Sequence, residues 1–139
     1  MSGRYNKTKM NSGVHIAMSA QLDNIDRTCH DVDICLRELQ LPDLSFDIQL
    51  GVREALTNAV KHGSQNDPSK QIIFQINKQE NKVVIMVKDE GCGFVPFGTK
   101  PPKEGPLLCC GRGLNIMHHY FDKVTFNERG NEVVLVKGI

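Results

Sequence analysis

Residues 70–89 read KQIIFQINKQENKVVIMVKD, and how that stretch divides decides the architecture. Apolar side chains fall at every second position, first Ile72, Phe74 and Ile76, then Val83, Ile85 and Val87. That is the period of strands with one buried face. The polar residues Lys78 to Asn81 part the two runs, so an antiparallel hairpin is the simplest reading.

Upstream the period changes from two to three and four. Ile48, Val52, Ala55, Leu56, Ala59 and Val60 make the core face of a helix that Ser45 is expected to cap and that Gly63 and SQNDPSK stop. Before it, Leu22, Ile25, Cys29, Val32, Leu36 and Leu39 predict an amphipathic helix running from Ser19 to the Leu41-Pro42 break. A short strand is expected over 14–18. The polar residues 1–13 read as a flexible leader ahead of one domain spanning 14–139.

Downstream, DEGCGF at 89–94 leads into VPFGTKPPKEGPLLCC, a Pro- and Gly-rich loop long enough to be a lid over about 95–110. GRGLNIMHHYF, residues 111–121, restarts helix. Residues 123–139 close the chain as a hairpin turning near Arg129-Gly130-Asn131. Neighbouring strands pair without alternating crossover helices. The class is therefore α+β, a two-layer α/β sandwich with a mixed, largely antiparallel sheet and helices on one face.

The 139 residues suit one domain. Lys plus Arg number 17 against 16 Asp plus Glu, a formal charge of +1, so net electrostatics favours neither direct nucleic-acid binding nor a membrane surface. Five cysteines without a CxxC pair fit poorly with a secreted disulfide framework. With no apolar leader and no run near the ~20 residues of a membrane span, a cytoplasmic protein with reduced thiols is expected. A zinc site from Cys92, Cys109, Cys110 and His118 lacks the usual paired spacing.

Three short constellations carry the chemistry. In EALTNAVKHG, residues 54–63, Glu54, Asn58 and His62 recur every fourth position and form one polar stripe bordering the helix's apolar face. Such a row is either a solvated edge or the wall of a pocket. In Asp89-Glu90-Gly91-Cys92-Gly93-Phe94 an acid stands at a strand end and two glycines let the backbone approach a ligand. In Gly111-Arg112-Gly113-Leu114 a helix opens with free N–H groups and a positive dipole end, both suited to phosphate. Neither GxxxxGK[ST] nor GxGxxG after a leading strand is present.

Taken in this order and spacing, the three resemble the nucleotide-binding boxes of the gyrase, Hsp90, histidine kinase and MutL ATPase superfamily, from about residue 14 to the C-terminus. A free-standing domain of this size is similar to the anti-sigma-factor serine kinases. The resemblance implies a Bergerat-type ATP-binding fold with ATP and Mg²⁺ as cofactors. It places a Mg²⁺-binding amide at Asn58 and a catalytic base at Glu54, acting on a protein serine hydroxyl. It assigns Asp89 as the adenine-reading acid, with Gly91 and Gly93 allowing close approach beneath the base. Gly111, Arg112, Gly113 and Leu114 then wrap the phosphates, with the lid over about 95–110.

Two departures stand out. Gly130-Asn131 occupies the place where the family often has Gly-Thr, and Cys109-Cys110 precede the second glycine box. The implied function is a protein serine kinase and anti-sigma regulator. It would phosphorylate an anti-sigma-factor antagonist and bind a sigma factor, and pairing as a homodimer is common in the family. The alternatives are a non-catalytic ATP-binding interaction module and the ATP-binding half of a two-component sensor. The latter is disfavoured because no phosphoacceptor helix pair precedes the domain.

Overall fold

The computed structural model describes residues 4–90, 116–128 and 130–139. Its elements in chain order are β1 (Tyr5–Met10), β2 (Gly13–Ser19), α1 (Leu22–Glu38), α2 (Ser45–Asn58), β3 (Gln71–Gln79), β4 (Lys82–Asp89), β5 (Lys123–Phe126) and β6 (Glu132–Gly138). A 3-10 turn, Pro42–Leu44, leads into α2, a π-helical turn, Ala59–Gly63, continues from it, and residues 116–120 are helical. The strands form a single sheet in the order β1-β2-β3-β4-β6-β5.

Among the described residues all five strand pairings are antiparallel. The hairpin expected from residues 70–89 sits in the middle of the sheet, with Phe74 opposite Val87 and Ile76 opposite Ile85. Because strand side chains alternate between faces, Val14, Ile16, Met18, Ile72, Phe74, Ile76, Val83, Ile85, Val87 and Leu135 all turn to one side and are buried there. The same core takes in Ile25, Val32 and Leu36 of α1 and Ile48, Val52 and Leu56 of α2. The free thiols Cys29 and Cys35 also lie in it, and burial pushes both up. This is the expected α+β arrangement, helices layered on one face of an antiparallel sheet.

Two local expectations are corrected. Residues 5–10 of the supposed leader form β1, an edge strand paired with β2 from Tyr5 opposite Met18 to Met10 opposite Gly13. Its sequence, YNKTKM, is polar because an edge strand needs only its backbone to join the sheet, and lysines discourage further pairing. Its side chains reach α1 instead. The Tyr5 hydroxyl donates to Asp31 at 2.6 Å, Lys7 to the same carboxylate at 3.1 Å, and the Arg27 guanidinium lies 4.1 Å from the centre of the Tyr5 ring.

Ser45 does not cap α2, whose N-cap is Leu44 with no side-chain cap bond. Its hydroxyl donates to Asp33 at 2.7 Å and accepts from Gln49. Pairing with α1 competed with local capping and won.

Candidate functional site

Asn58 ends α2, and the chain then widens into the π turn 59–63. The signature is a wide local closure: the Ser64 N–H donates to the Ala59 carbonyl, five residues back, at 2.8 Å. Such turns frequently mark functional sites in helices. Glu54, Asn58 and His62 are all half-buried, as a stripe beside the core should be. Only Asn58 of the three lines the pocket between the helix layer and the end of β4. It does so with Ala59, Val87, Asp89, Met117 and Asn131 among others. Glu54 lies one helical turn earlier, outside that lining. His62 lies within the π turn, whose wider winding carries it off the wheel position that a regular α-helix would assign.

Asp89 is the last residue of β4 and is 8% exposed. Both its main chain and its side chain are held. Its N–H donates to the Asn131 carbonyl at 2.9 Å, and its carboxylate packs against the backbone of Gly63, where any Cβ would run into the carboxylate carbon and both oxygens. The glycine closing EALTNAVKHG is therefore more than a helix stop. It lets the α2 end and the β4 end meet, which brings Asn58 and Asp89 to the same pocket. Next to Asp89, Glu90 reaches back to accept the Gln71 N–H at 3.1 Å and anchors the strand end.

The far wall is the β5–β6 turn. The Asn127 side-chain oxygen accepts the backbone N–H groups of Gly130, Asn131 and Glu132 at 2.8, 3.0 and 3.3 Å, and Gly130 takes the left-handed φ of 76° that the tight turn needs. Asn131 is 9% exposed. Its amide receives a bond from Asn127 Nδ2 at 2.7 Å and donates to the Asp89 carbonyl at 3.4 Å. Sequence reading placed the hairpin turn here but assigned Asn131 no role. The only signal was its occupancy of a position where a threonine was expected.

Gly91, Gly93, Gly111, Arg112, Gly113, Leu114, the cysteines at 92, 109 and 110 and the expected lid at about 95–110 lie outside the described residues. Among the described residues no helix is long and apolar enough to cross a membrane.

A half-buried amide oxygen at Asn58 suits a hard cation that takes its other ligands from phosphates and water. A buried carboxylate beside an amide donor suits a base edge that offers both a donor and an acceptor. Residues 18–137 match the family model of the histidine kinase-like ATPase domain. The chain is 30% identical to the anti-sigma F factor of Geobacillus thermodenitrificans over 94% of this chain and 94% of that protein. It is 30% identical to that of Geobacillus kaustophilus over the same shares. Against the anti-sigma F factor of Clostridium perfringens it is 30% identical over 66% of this chain and 70% of that protein. With the site's geometry and the reach of these matches in agreement, the chain belongs to the histidine kinase-like ATPase domain family, an ATP-binding fold, and within it to the anti-sigma factors.

Proposed function

We propose that this chain is a Mg-ATP-dependent protein serine kinase that phosphorylates an anti-sigma-factor antagonist and holds a sigma factor in an alternative complex. The observation that carries the reading is the meeting of Asn58 and Asp89 in one pocket, the two residues to which the resemblance assigns a metal-binding amide and an adenine-reading acid. Asp89 orients the adenine. Asn58 holds Mg²⁺, which when bound neutralises phosphate charge. Glu54, one turn along the same helix, takes the proton of the attacking serine hydroxyl. The phosphates are assigned to the glycine-rich segment with Gly111, Arg112, Gly113 and Leu114, and the approach beneath the base to Gly91 and Gly93. The sigma-factor partner rests on the three relatives described above, which are anti-sigma F factors. Partner choice then follows nucleotide and phosphorylation state through differential affinity for the two states.

One observation favours a second reading, a non-catalytic ATP-binding interaction module. Glu54 does not line the pocket that Asn58 and Asp89 share, so nucleotide binding is supported more directly than proton transfer. Incubation with labelled Mg-ATP and the candidate antagonist distinguishes the two. Phosphoserine on the antagonist that disappears in Glu54→Ala and in Asn58→Ala supports the kinase. Tight ATP binding with no transfer in the wild type leaves only the module.

A further inference from the structure

The β5–β6 turn holds a chain of amides whose orientation is decided step by step by hydrogen-bond chemistry. Asn127 presents one side-chain oxygen and one NH₂ group, and three backbone N–H groups, those of Gly130, Asn131 and Glu132, converge on one of these ends. Only an oxygen accepts from three donors, so the Asn127 amide has a single possible orientation. Its NH₂ must then face Asn131, at 2.7 Å, and the Asn131 atom that receives it must be the oxygen. The Asn131 NH₂ is consequently turned towards Asp89, whose carbonyl it reaches at 3.4 Å. Asn131 lines the pocket beside Asp89 and is 9% exposed.

From this we infer that Asn127 is a positioning residue that sets the polarity of the pocket's base-reading wall. By locking the Asn131 amide it places a donor next to the Asp89 acceptor. An NH₂ group carries two hydrogens, and one of them serves the Asp89 carbonyl. The second completes an acceptor–donor pair that fits a 6-aminopurine, which offers an amino donor at C6 and an acceptor at N1. A 6-oxopurine offers the reverse, an oxygen at C6 and an N–H at N1, and meets the wall with both groups mismatched. A site built to pair a polar edge rejects the analogue with that edge inverted, because buried groups are left unpaired. The inference rests on the reading of this pocket as a purine nucleotide site and adds the device that selects the base.

The test is Asn127→Asp. Aspartate still offers an oxygen to the three backbone N–H groups, so the turn is retained. Its second oxygen now faces Asn131, draws the Asn131 NH₂ towards itself and turns the Asn131 oxygen to the pocket. Calorimetry of ADP and inosine diphosphate on both proteins reads the effect. The wild type is expected to prefer ADP by on the order of tenfold to a hundredfold, the scale of one or two buried polar contacts. In N127D that preference should contract to about threefold or less. A preference unchanged in folded N127D overturns the inference and leaves the nucleotide site standing. Failure of the wild type to bind either nucleotide overturns the site itself. A measurement independent of the variant's folding uses the wild type alone. The ¹⁵N-resolved side-chain NH₂ signals of Asn131 should shift on adding ADP more than on adding inosine diphosphate. Equal or absent shifts also overturn the inference.

Discussion

Asp31 and Asp89 each join two parts of the molecule, and they do so by different means. Asp31, on α1, works through its side chain, accepting the Tyr5 hydroxyl at 2.6 Å and the Lys7 ammonium at 3.1 Å and so tying the edge strand β1 to the helix layer. Asp89 is placed by its main chain. Its N–H and carbonyl are both bonded to Asn131, while its carboxylate rests on Gly63 at the wall of a pocket. The first carboxylate is used for the fold. The second is held by the fold at the wall of a pocket, where we propose that its side chain reads a nucleotide base, so the two should respond oppositely to substitution.

The largest effect is expected where the Asp89 arrangement is broken from behind. Gly63→Ala forces a methyl group into the Asp89 carboxylate, so stability should fall by about 1–3 kcal/mol, as overpacked sites do, and ATP affinity should fall with it. Denaturant melts and calorimetry measure the two. A variant with wild-type values in both would disprove the close packing of these residues.

Asp89→Asn and Asp31→Asn then sharpen the contrast. The former should weaken adenine-nucleotide binding by roughly 1–3 kcal/mol with little change in the melt. The latter should lower stability by about 1–2 kcal/mol and leave nucleotide affinity as it was. Unchanged affinity in the Asp89 variant would refute its assignment.

The Asp31 side of the comparison also carries a pH signature. Burial, then the hydrogen bond to Asp31, push the Tyr5 phenol above its ordinary value of 10.0. A raised folded-state value means that the contribution is complete below pH 10.0 and is lost as pH rises beyond it, because the unfolded chain ionises first. Tyr5→Phe should cost about 1 kcal/mol near neutral pH. Its unfolding free energy should then fall less steeply than the wild type's above pH 10.0. Parallel slopes would show that the phenol is not coupled to folding.

The smallest effect concerns Asp33, whose carboxyl is held below the ordinary carboxylate range first by the Ser45 hydroxyl and then by Arg37. A lowered value contributes stability above the unfolded-state titration and loses it as pH falls through the folded one. Ser45→Ala should therefore move the Asp33 titration upward in a carboxyl-resolved NMR experiment. A titration that stays in place would mean that Ser45 is a bystander.

Much of the fold was legible in the sequence because hydrophobic periodicity reports burial directly. Ile72, Phe74 and Ile76 announce β3, Val83, Ile85 and Val87 announce β4, and Ile48, Val52 and Leu56 announce α2. β1 was not legible. Its residues are held by backbone pairing and by long-range polar contacts such as Tyr5 to Asp31, 26 positions apart, and neither leaves a local pattern. The π turn was hidden for a related reason: AVKHG satisfies an α-helical reading as well, and what distinguishes the two is backbone bonding such as that from Ser64 to Ala59.

Within the site, Asn58 and Asp89 stood out because an amide in mid-helix and an acid at a strand end are chemically conspicuous. Asn131 and Asn127 did not. An asparagine in a hairpin turn has an ordinary local use, and its second use requires a partner 42 residues away.

By itself the sequence determined which residues face the core, the α+β class and the chemical types available at positions 54, 58 and 89, since these follow from side-chain hydrophobicity and local spacing. Only the tertiary structure decided that Asn58 and Asp89 share a pocket while Glu54 and His62 stand outside its described lining. It also decided that Gly63 is a packing contact and that the Asn131 amide has a fixed direction. Those facts depend on elements distant in the chain meeting at one sheet end, where the bonds available to each group depend on its new neighbours.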